Sequence, residues 1–546
     1  MKTLSSYCIF LFICLSMSAN AQCDESATKI MVMGDSWAFF SWQGDSYNEN
    51  LDRFGFSDIE ARSNLSISIL GSKASNYFNK TSRKKAVIDF LEKNSDIEIV
   101  HFSLGGNDIL RAWHKDMNSF EEDSVLNKII HDIRGAMDTL WAYKPSLDIH
   151  FAGYEYPNFA ETISTISPPW LQKQHPFYDL WDEMGKPNIV ELNSIIRKST
   201  QYFIDSIANH KNVSFVNNLG LMQWHYGQQK KLKTNPFGTY QPHTVPLPGG
   251  DINYPTPLVA LNADGLDSYH LKDKAFEVFI KRQFEEFYWS YFRNADTTFV
   301  GIPNQNGSTS NSRISDTLFM GNSNNHLLKS VLSFDTKLNS HKVIKSASIF
   351  IQREKLFGKN LIDENLILEI KTGHYGASSR LELDDFDAPS DSMSNACTFG
   401  NLQKDGYWMR VDVPKSLLPF INKNGTTQFK LNYHLSEENR FINFTNELKS
   451  ILLDVRYEDV ITNIGQTSYD NISNIILSPN PCDEIINLLV NEAEIIRTEI
   501  YNMYGQLVHV SQNPTNKIHV QQLNKGHFII KIYLIDKIVT KTFIKQ

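Results

Sequence analysis

Lys29-Ile30-Met31-Val32-Met33-Gly34-Asp35-Ser36 is the stretch on which the reading of the fold turns. Ile30 to Met33 is an unbroken apolar run, short enough for a strand buried on both faces. Glycine, aspartate and serine end it. A turn at that point lifts Ser36 to the carboxyl edge of a parallel sheet, where open α/β sheets place their ligands. The same tripeptide recurs at Gly44-Asp45-Ser46. That copy follows Phe39-Phe40-Ser41-Trp42-Gln43 with no strand before it, and it reads as a loop turn.

Outward from this point the pattern repeats. Ile97-Glu98-Ile99-Val100-His101-Phe102, Asp148-Ile149-His150-Phe151-Ala152 and Val213-Ser214-Phe215-Val216 are further strand candidates. Helical patterns over Arg83 to Lys93 and Ser124 to Tyr143 separate them. Strand–helix alternation predicts an α/β domain, a parallel sheet covered by helices on both faces. Lys272 to Phe292 is amphipathic and rich in Phe, Tyr and Trp, and it predicts the last helix docking on that sheet. Asn235 to Leu261, rich in Pro, Gly, Tyr and Thr, reads as a long loop ahead of that helix. Such a loop either shapes a cleft or is a plain surface excursion.

A serine becomes a nucleophile only beside a base, and the oxyanion it creates needs donors. Asp267-Ser268-Tyr269-His270 puts an acid and a histidine three residues apart, on one side of a turn. His270 is the candidate base, and Asp267 the candidate group that orients it. Gly105-Gly106-Asn107-Asp108 follows the second strand candidate, and Asn107 offers an amide donor. Gly71, in Ile69-Leu70-Gly71-Ser72, offers a backbone N–H with no side chain in the way. Asp264 reads as a turn residue. His114, His225 and His243 lack metal-ligand spacing, and no metal or organic cofactor is implied.

These blocks, in this order, resemble the SGNH (GDSL) hydrolases over about residues 29–287. The resemblance implies a three-layer α/β/α fold. It implies Ser36 as nucleophile, His270 as base and Asp267 as its partner. It also implies an oxyanion hole made by the Ser36 N–H, Gly71 and Asn107. The stretch from Tyr154 to Leu261 exceeds a minimal member of that family.

From Asn294 the texture changes. Asn, Ser, Thr and Gly dominate to about Asn325. Short alternating runs follow at Ser330–Phe334, Ala347–Ile351, Leu366–Ile370, Tyr407–Val411 and Ile451–Val455. Many short strands between turn signals predict a β-sandwich. The run from Asp296-Thr297-Thr298-Phe299-Val300 through Leu328–Asp335 to Ala347–Ile351 is similar to the DNRLRE-type modules of extracellular bacterial proteins. Some of those modules bind carbohydrate; a spacer is the other reading. After a polar linker comes a small β-rich unit opening with Ser478-Pro479-Asn480-Pro481. Those residues resemble the sorting domain of the type IX secretion system of Bacteroidetes. So do Ile500-Tyr501-Asn502-Met503-Tyr504-Gly505-Gln506-Leu507-Val508, Leu523–Ile532 and the terminal Lys541–Gln546. That resemblance implies the type IX machinery as a partner and passage across the outer membrane.

The chain has 546 residues, a net charge of −8 and 5 cysteines. No basic field invites nucleic acid or an anionic membrane. Lys2, the apolar run Tyr7 to Met17 and Ala19-Asn20-Ala21 read as a secretory signal cleaved after Ala21, and no later run is long enough to span a bilayer. Cys23, Cys397 and Cys482 remain in the mature chain. One bridge among them is possible, and the sequence does not choose it. The expected organisation is a signal over 1–21, the hydrolase domain over 24–293 and a β-sandwich module over 294–460. A linker over 461–474 and the sorting domain over 475–546 follow. The expected function is a secreted esterase acting through an acyl-serine on acylated polysaccharide. A lipid esterase or lysophospholipase, and a catalytically silent glycan-binding surface protein, stand as alternatives.

Overall fold

The computed structural model describes residue 23 and residues 26–229, 245–262, 266–459 and 475–546, less short stretches at 324–325, 339–341, 359–365, 402, 434–438, 490–494, 503–505, 513–515 and 535–537. The expected signal, the linker, Asp264, His243 and the first part of the long loop lie outside the described residues. The chain divides into two compact units between Val460 and Ile461.

The first unit opens with a five-stranded parallel sheet. Its strands are β1 (Ala27–Gly34), β2 (Ile59–Arg62), β3 (Ile99–Ser103), β4 (Asp148–Ala152) and β5 (Val213–Val216), in the order β2-β1-β3-β4-β5. Every pairing between them is parallel. All five residues of β3 are buried, because helices cover both faces of the sheet. One layer holds Ser36–Gln43, Ser46–Arg53 and Asp273–Gln283; the other holds Thr81–Lys93, Ser119–Tyr143 and Ile189–Ser206. The three-layer α/β/α expectation is borne out. The last helical stretch runs on through a wider π turn, Phe284–Tyr288, to Arg293.

The second Gly-Asp-Ser is corrected by the structure. Asp45 does make a left-handed turn, at φ 54°, but Ser46 then opens the helix Ser46–Arg53 and is itself buried. Tyr47, Asn50 and Leu51 bury one face of that helix, which packs against Asp273–Gln283. A helical period in a mostly polar segment explains why its sequence looks like a loop.

Among the described residues thirteen further strands, antiparallel throughout, follow in the same unit. Leu332, Phe334, Ile349, Ile351, Leu368, Phe429, Leu431 and Leu453 fill their core. This domain meets the amino edge of the parallel sheet. Arg410 reaches Asp58, just ahead of β2, at 2.7 and 3.1 Å. Gly400 donates its N–H to Ser57 Oγ at 2.8 Å, and Trp289 packs on Trp408 with ring centroids 4.8 Å apart. Phe350, Trp408 and Leu452 belong to the hydrophobic core of the α/β domain. A disulfide joins Cys23, ahead of β1, to Cys397, which settles the pairing the sequence left open; Cys482 is buried and free.

The second unit, from residue 475 onward, is a three-stranded and a four-stranded antiparallel sheet. Ile486, Leu488, Ile500, Ile518, Ile530 and Phe543 form its core. Among the described residues no helix is long and apolar enough to cross a membrane.

Candidate active site

The carboxyl end of β1 runs directly into the helix Ser36–Gln43, and Asp35 caps that helix by accepting the Trp37 N–H at 2.9 Å. Gly34 is required at the junction: a Cβ there would lie 1.9 Å from the Ser103 carbonyl oxygen of β3. Ser36 thus becomes the first residue of the helix, where backbone N–H groups are unpaired and the helix dipole favours negative charge.

The structure brings Ser36, Asp267 and His270 together. Ser36 Oγ lies 2.7 Å from His270 Nε2. His270 Nδ1 lies 2.8 Å from Asp267 Oδ2. The other carboxylate oxygen accepts the backbone N–H groups of Tyr269 and His270, each at 2.9 Å. A carboxylate accepts only, so Nδ1 carries the proton and donates it to Asp267. Nε2 is then the bare nitrogen that accepts from the Ser36 hydroxyl. Ser36 is 3 % exposed, and the His270 and Asp267 side chains keep 12 % and 13 %. The rings of Phe40 and Phe177 stand 5.0 and 5.9 Å from the imidazole.

Two further segments converge here. Gly34 exchanges backbone hydrogen bonds with Ile67 and Ile69, which carries the following turn, with Gly71 exposed on it, alongside the end of β1. Asn107, in the first turn of the helix Gly106–Ala112, reaches Asp35 Oδ2 and the Ser72 carbonyl with its Nδ2, both at 3.4 Å. Asp108 accepts the Ala74 N–H at 3.0 Å and pins that turn in place. Ser36, Gly71, Asn107, Asp267 and His270 therefore come from four separate segments to one end of the sheet.

Residues missed in the sequence complete the surroundings. Asp35 is fully buried, and that burial pushes its carboxyl up to about 7, against the hydrogen bonds from Tyr154 and the Trp37 N–H. Tyr154, just past β4, donates to Asp35 at 2.7 Å. Tyr77 donates to the Gly34 and Ile67 carbonyls. Glu155 is buried nearby in sequence and is pushed up to about 8 by desolvation, although Gly220 and Met222 donate N–H groups to it. An aspartate directly before a helix is a readable capping signal; nothing local marks Tyr154.

A Ser–His–Asp chain at the carboxyl edge of the first strand of a parallel α/β/α sandwich is an arrangement that can make a serine nucleophilic. Residues 477–546 match the family described as the secretion system C-terminal sorting domain. The chain therefore carries a sorting domain for type IX secretion to the cell surface or the extracellular space, as the sequence led us to expect. No curated protein matched. Among solved structures, the chain is similar to a lipase/acylhydrolase of Enterococcus faecalis, at 13% identity over 48% of this chain and 96% of that one, with a TM-score of 0.23. It is similar to a family 3 carbohydrate esterase of Clostridium thermocellum, at 13% identity over 47% and 94%, with a TM-score of 0.23. A GDSL-like lipase of Bacteroides thetaiotaomicron gives 12% identity over 48% and 88%, with a TM-score of 0.23.

Proposed function

We propose that this protein is a secreted serine esterase that cleaves carboxylic esters through an acyl-serine intermediate. The observation that carries the reading is the unbroken hydrogen-bonded chain Ser36–His270–Asp267. In the first half-reaction His270 Nε2 takes the Ser36 proton as Oγ adds to the ester carbonyl. The charge on the carbonyl oxygen meets the Ser36 N–H, the Asn107 amide and the turn carrying Gly71. His270 then returns the proton to the departing alcohol. In the second half-reaction a water, deprotonated by the same nitrogen, attacks the acyl-serine; His270 passes that proton to the departing Ser36 Oγ and the acid is released. Asp267 holds the imidazole and balances its positive charge.

The alcohol leaves on the His270 side, beside Phe40 and Phe177. Aromatic rings at that place suit the C–H face of a sugar, and export places the enzyme among polymers outside the cell. Acyl or acetyl groups on extracellular polysaccharide are the substrate class we favour. We assign the β-sandwich no part in the chemistry, because it packs against the opposite edge of the sheet, at Ser57 and Asp58.

Purified full-length protein is assayed on p-nitrophenyl acetate and on an acetylated xylan, beside Ser36→Ala. Release of p-nitrophenol and acetate by wild type alone supports the reading. Equal inertness of both proteins on a broad panel of esters sinks it.

A further inference from the structure

Tyr154 lies just past the carboxyl end of β4 and is 5 % exposed. Its ring meets Trp37 edge-on at 5.3 Å and stacks on Tyr269 at 6.1 Å. Its hydroxyl donates to Asp35 Oδ2 at 2.7 Å. The same Asp35 oxygen is one of the two acceptors that Asn107 Nδ2 reaches; the Ser72 carbonyl is the other. Gly106 admits this arrangement because it has no side chain: a Cβ there would lie 2.0 Å from the Tyr269 hydroxyl and 2.8 Å from the Tyr154 ring.

Asn107 can serve as an oxyanion donor only if its nitrogen, not its oxygen, faces the cleft. The two ends of a carboxamide have nearly the same shape, so packing does not choose between them. Acceptors do. Asp35 Oδ2, which already accepts the Tyr154 hydroxyl, and the Ser72 carbonyl both stand as acceptors, and the reversed amide would set oxygen against oxygen at both. Holding the nitrogen at these two acceptors fixes the plane of the carboxamide and which of its ends is nitrogen. Asp35 needs an anchor for this task, because its other oxygen is already committed to the Trp37 N–H.

We infer that Tyr154 is a positioning residue of the oxyanion site: packed against Trp37 and Tyr269, it fixes Asp35, and Asp35 orients the Asn107 carboxamide. The inference rests on the esterase reading above. Tyr154 touches no reacting atom and acts through Asn107.

The test compares wild type, Tyr154→Phe, Asn107→Ala and the double variant, all as full chains, on p-nitrophenyl acetate. Outright loss of an oxyanion donor lowers kcat by about 10²–10³-fold; a misoriented one should lower it by about tenfold or more. Tyr154→Phe is expected to lower kcat by about that factor with KM within about twofold. Its affinity for phenylboronic acid, whose tetrahedral adduct puts an oxygen at the oxyanion position, should fall in step with kcat/KM. In the Asn107→Ala background Tyr154→Phe should have no further effect, because the residue it serves is gone. Should Tyr154→Phe fail to fold, Asp35→Asn reads the same relation, with the same split between kcat and KM. An active wild type with kcat unchanged in Tyr154→Phe, or a full extra loss in the Asn107→Ala background, overturns the inference and leaves the esterase reading standing. An inert wild type overturns both.

Discussion

Ser36 Oγ and His270 Nε2 stand 2.7 Å apart across 234 positions of sequence. Ser36 is held by the end of the first strand, and His270 by the turn that enters the last helix. The contact exists because a parallel sheet gathers distant strand ends at one edge. Asp267, three residues before His270, fixes which nitrogen faces the serine. Asp267→Asn keeps the size of the side chain but can present an N–H to Nδ1 and favour the wrong tautomer. We expect kcat to fall by about 10³–10⁴-fold with little change in KM. Steady-state kinetics on a chromogenic ester checks it.

Two buried carboxyls, Asp35 and Glu155, bear on the alkaline side of the stability profile. Asp35 and Glu155 sit above their ordinary values, pushed up by burial to about 7 and about 8. The folded protein therefore keeps protons that the unfolded chain has released. The stability this confers is complete below the carboxylate range and is lost as pH rises through about 7 and then about 8. Thermal unfolding between about pH 6.5 and 8.5 should show Tm falling, with a shallower fall in Glu155→Gln. A flat or rising Tm in wild type contradicts the assignment.

The Cys23–Cys397 bridge closes a loop of 374 residues. Cross-linking so long a segment restricts the unfolded chain, an effect of about 2–4 kcal/mol. Cys23→Ser, or reduction with dithiothreitol, should lower the unfolding midpoint in denaturant. Esterase activity at ambient temperature should be preserved, because the bridge lies ahead of β1, away from the serine. Loss of activity at full stability would contradict this.

Arg410 carries the junction between the α/β domain and the β-sandwich. It is 7 % exposed, pairs with Asp58 and lies over the Phe399 ring at 4.0 Å. Arg410→Ala leaves Asp58 without its partner and should destabilise the first unit by about 3–5 kcal/mol. Calorimetry of the full chain checks it. An unchanged unfolding transition would mean that the contact contributes nothing.

Much of this was legible in the sequence. β4 and β5 were readable to the residue, and β1 and β3 to within a few positions, because buried parallel strands are short apolar runs. β2 was not: Ile59-Glu60-Ala61-Arg62 is four residues long on the sheet's edge and has no apolar run. The helix Ile189–Ser206 was overlooked although Asn188 and Glu191 form a capping box at its start. Ser46 reads as part of a loop turn in the sequence because its helix is amphipathic but mostly polar. At the site, the serine, asparagine and histidine blocks were readable because each is a local cluster. Tyr154 and Phe177 were not, since they acquire meaning only from what the fold sets beside them. The joining of the two domains was equally hidden, because a charge pair such as Arg410 and Asp58 leaves no local pattern.

The most direct measurement is the site of covalent labelling by a fluorophosphonate. The reagent adds to a serine that its neighbours have made nucleophilic. Peptide mapping of the full-length protein should find one adduct, on Ser36, and His270→Ala should lose it. An adduct on another serine, or none in a protein that still cleaves esters, would contradict the account.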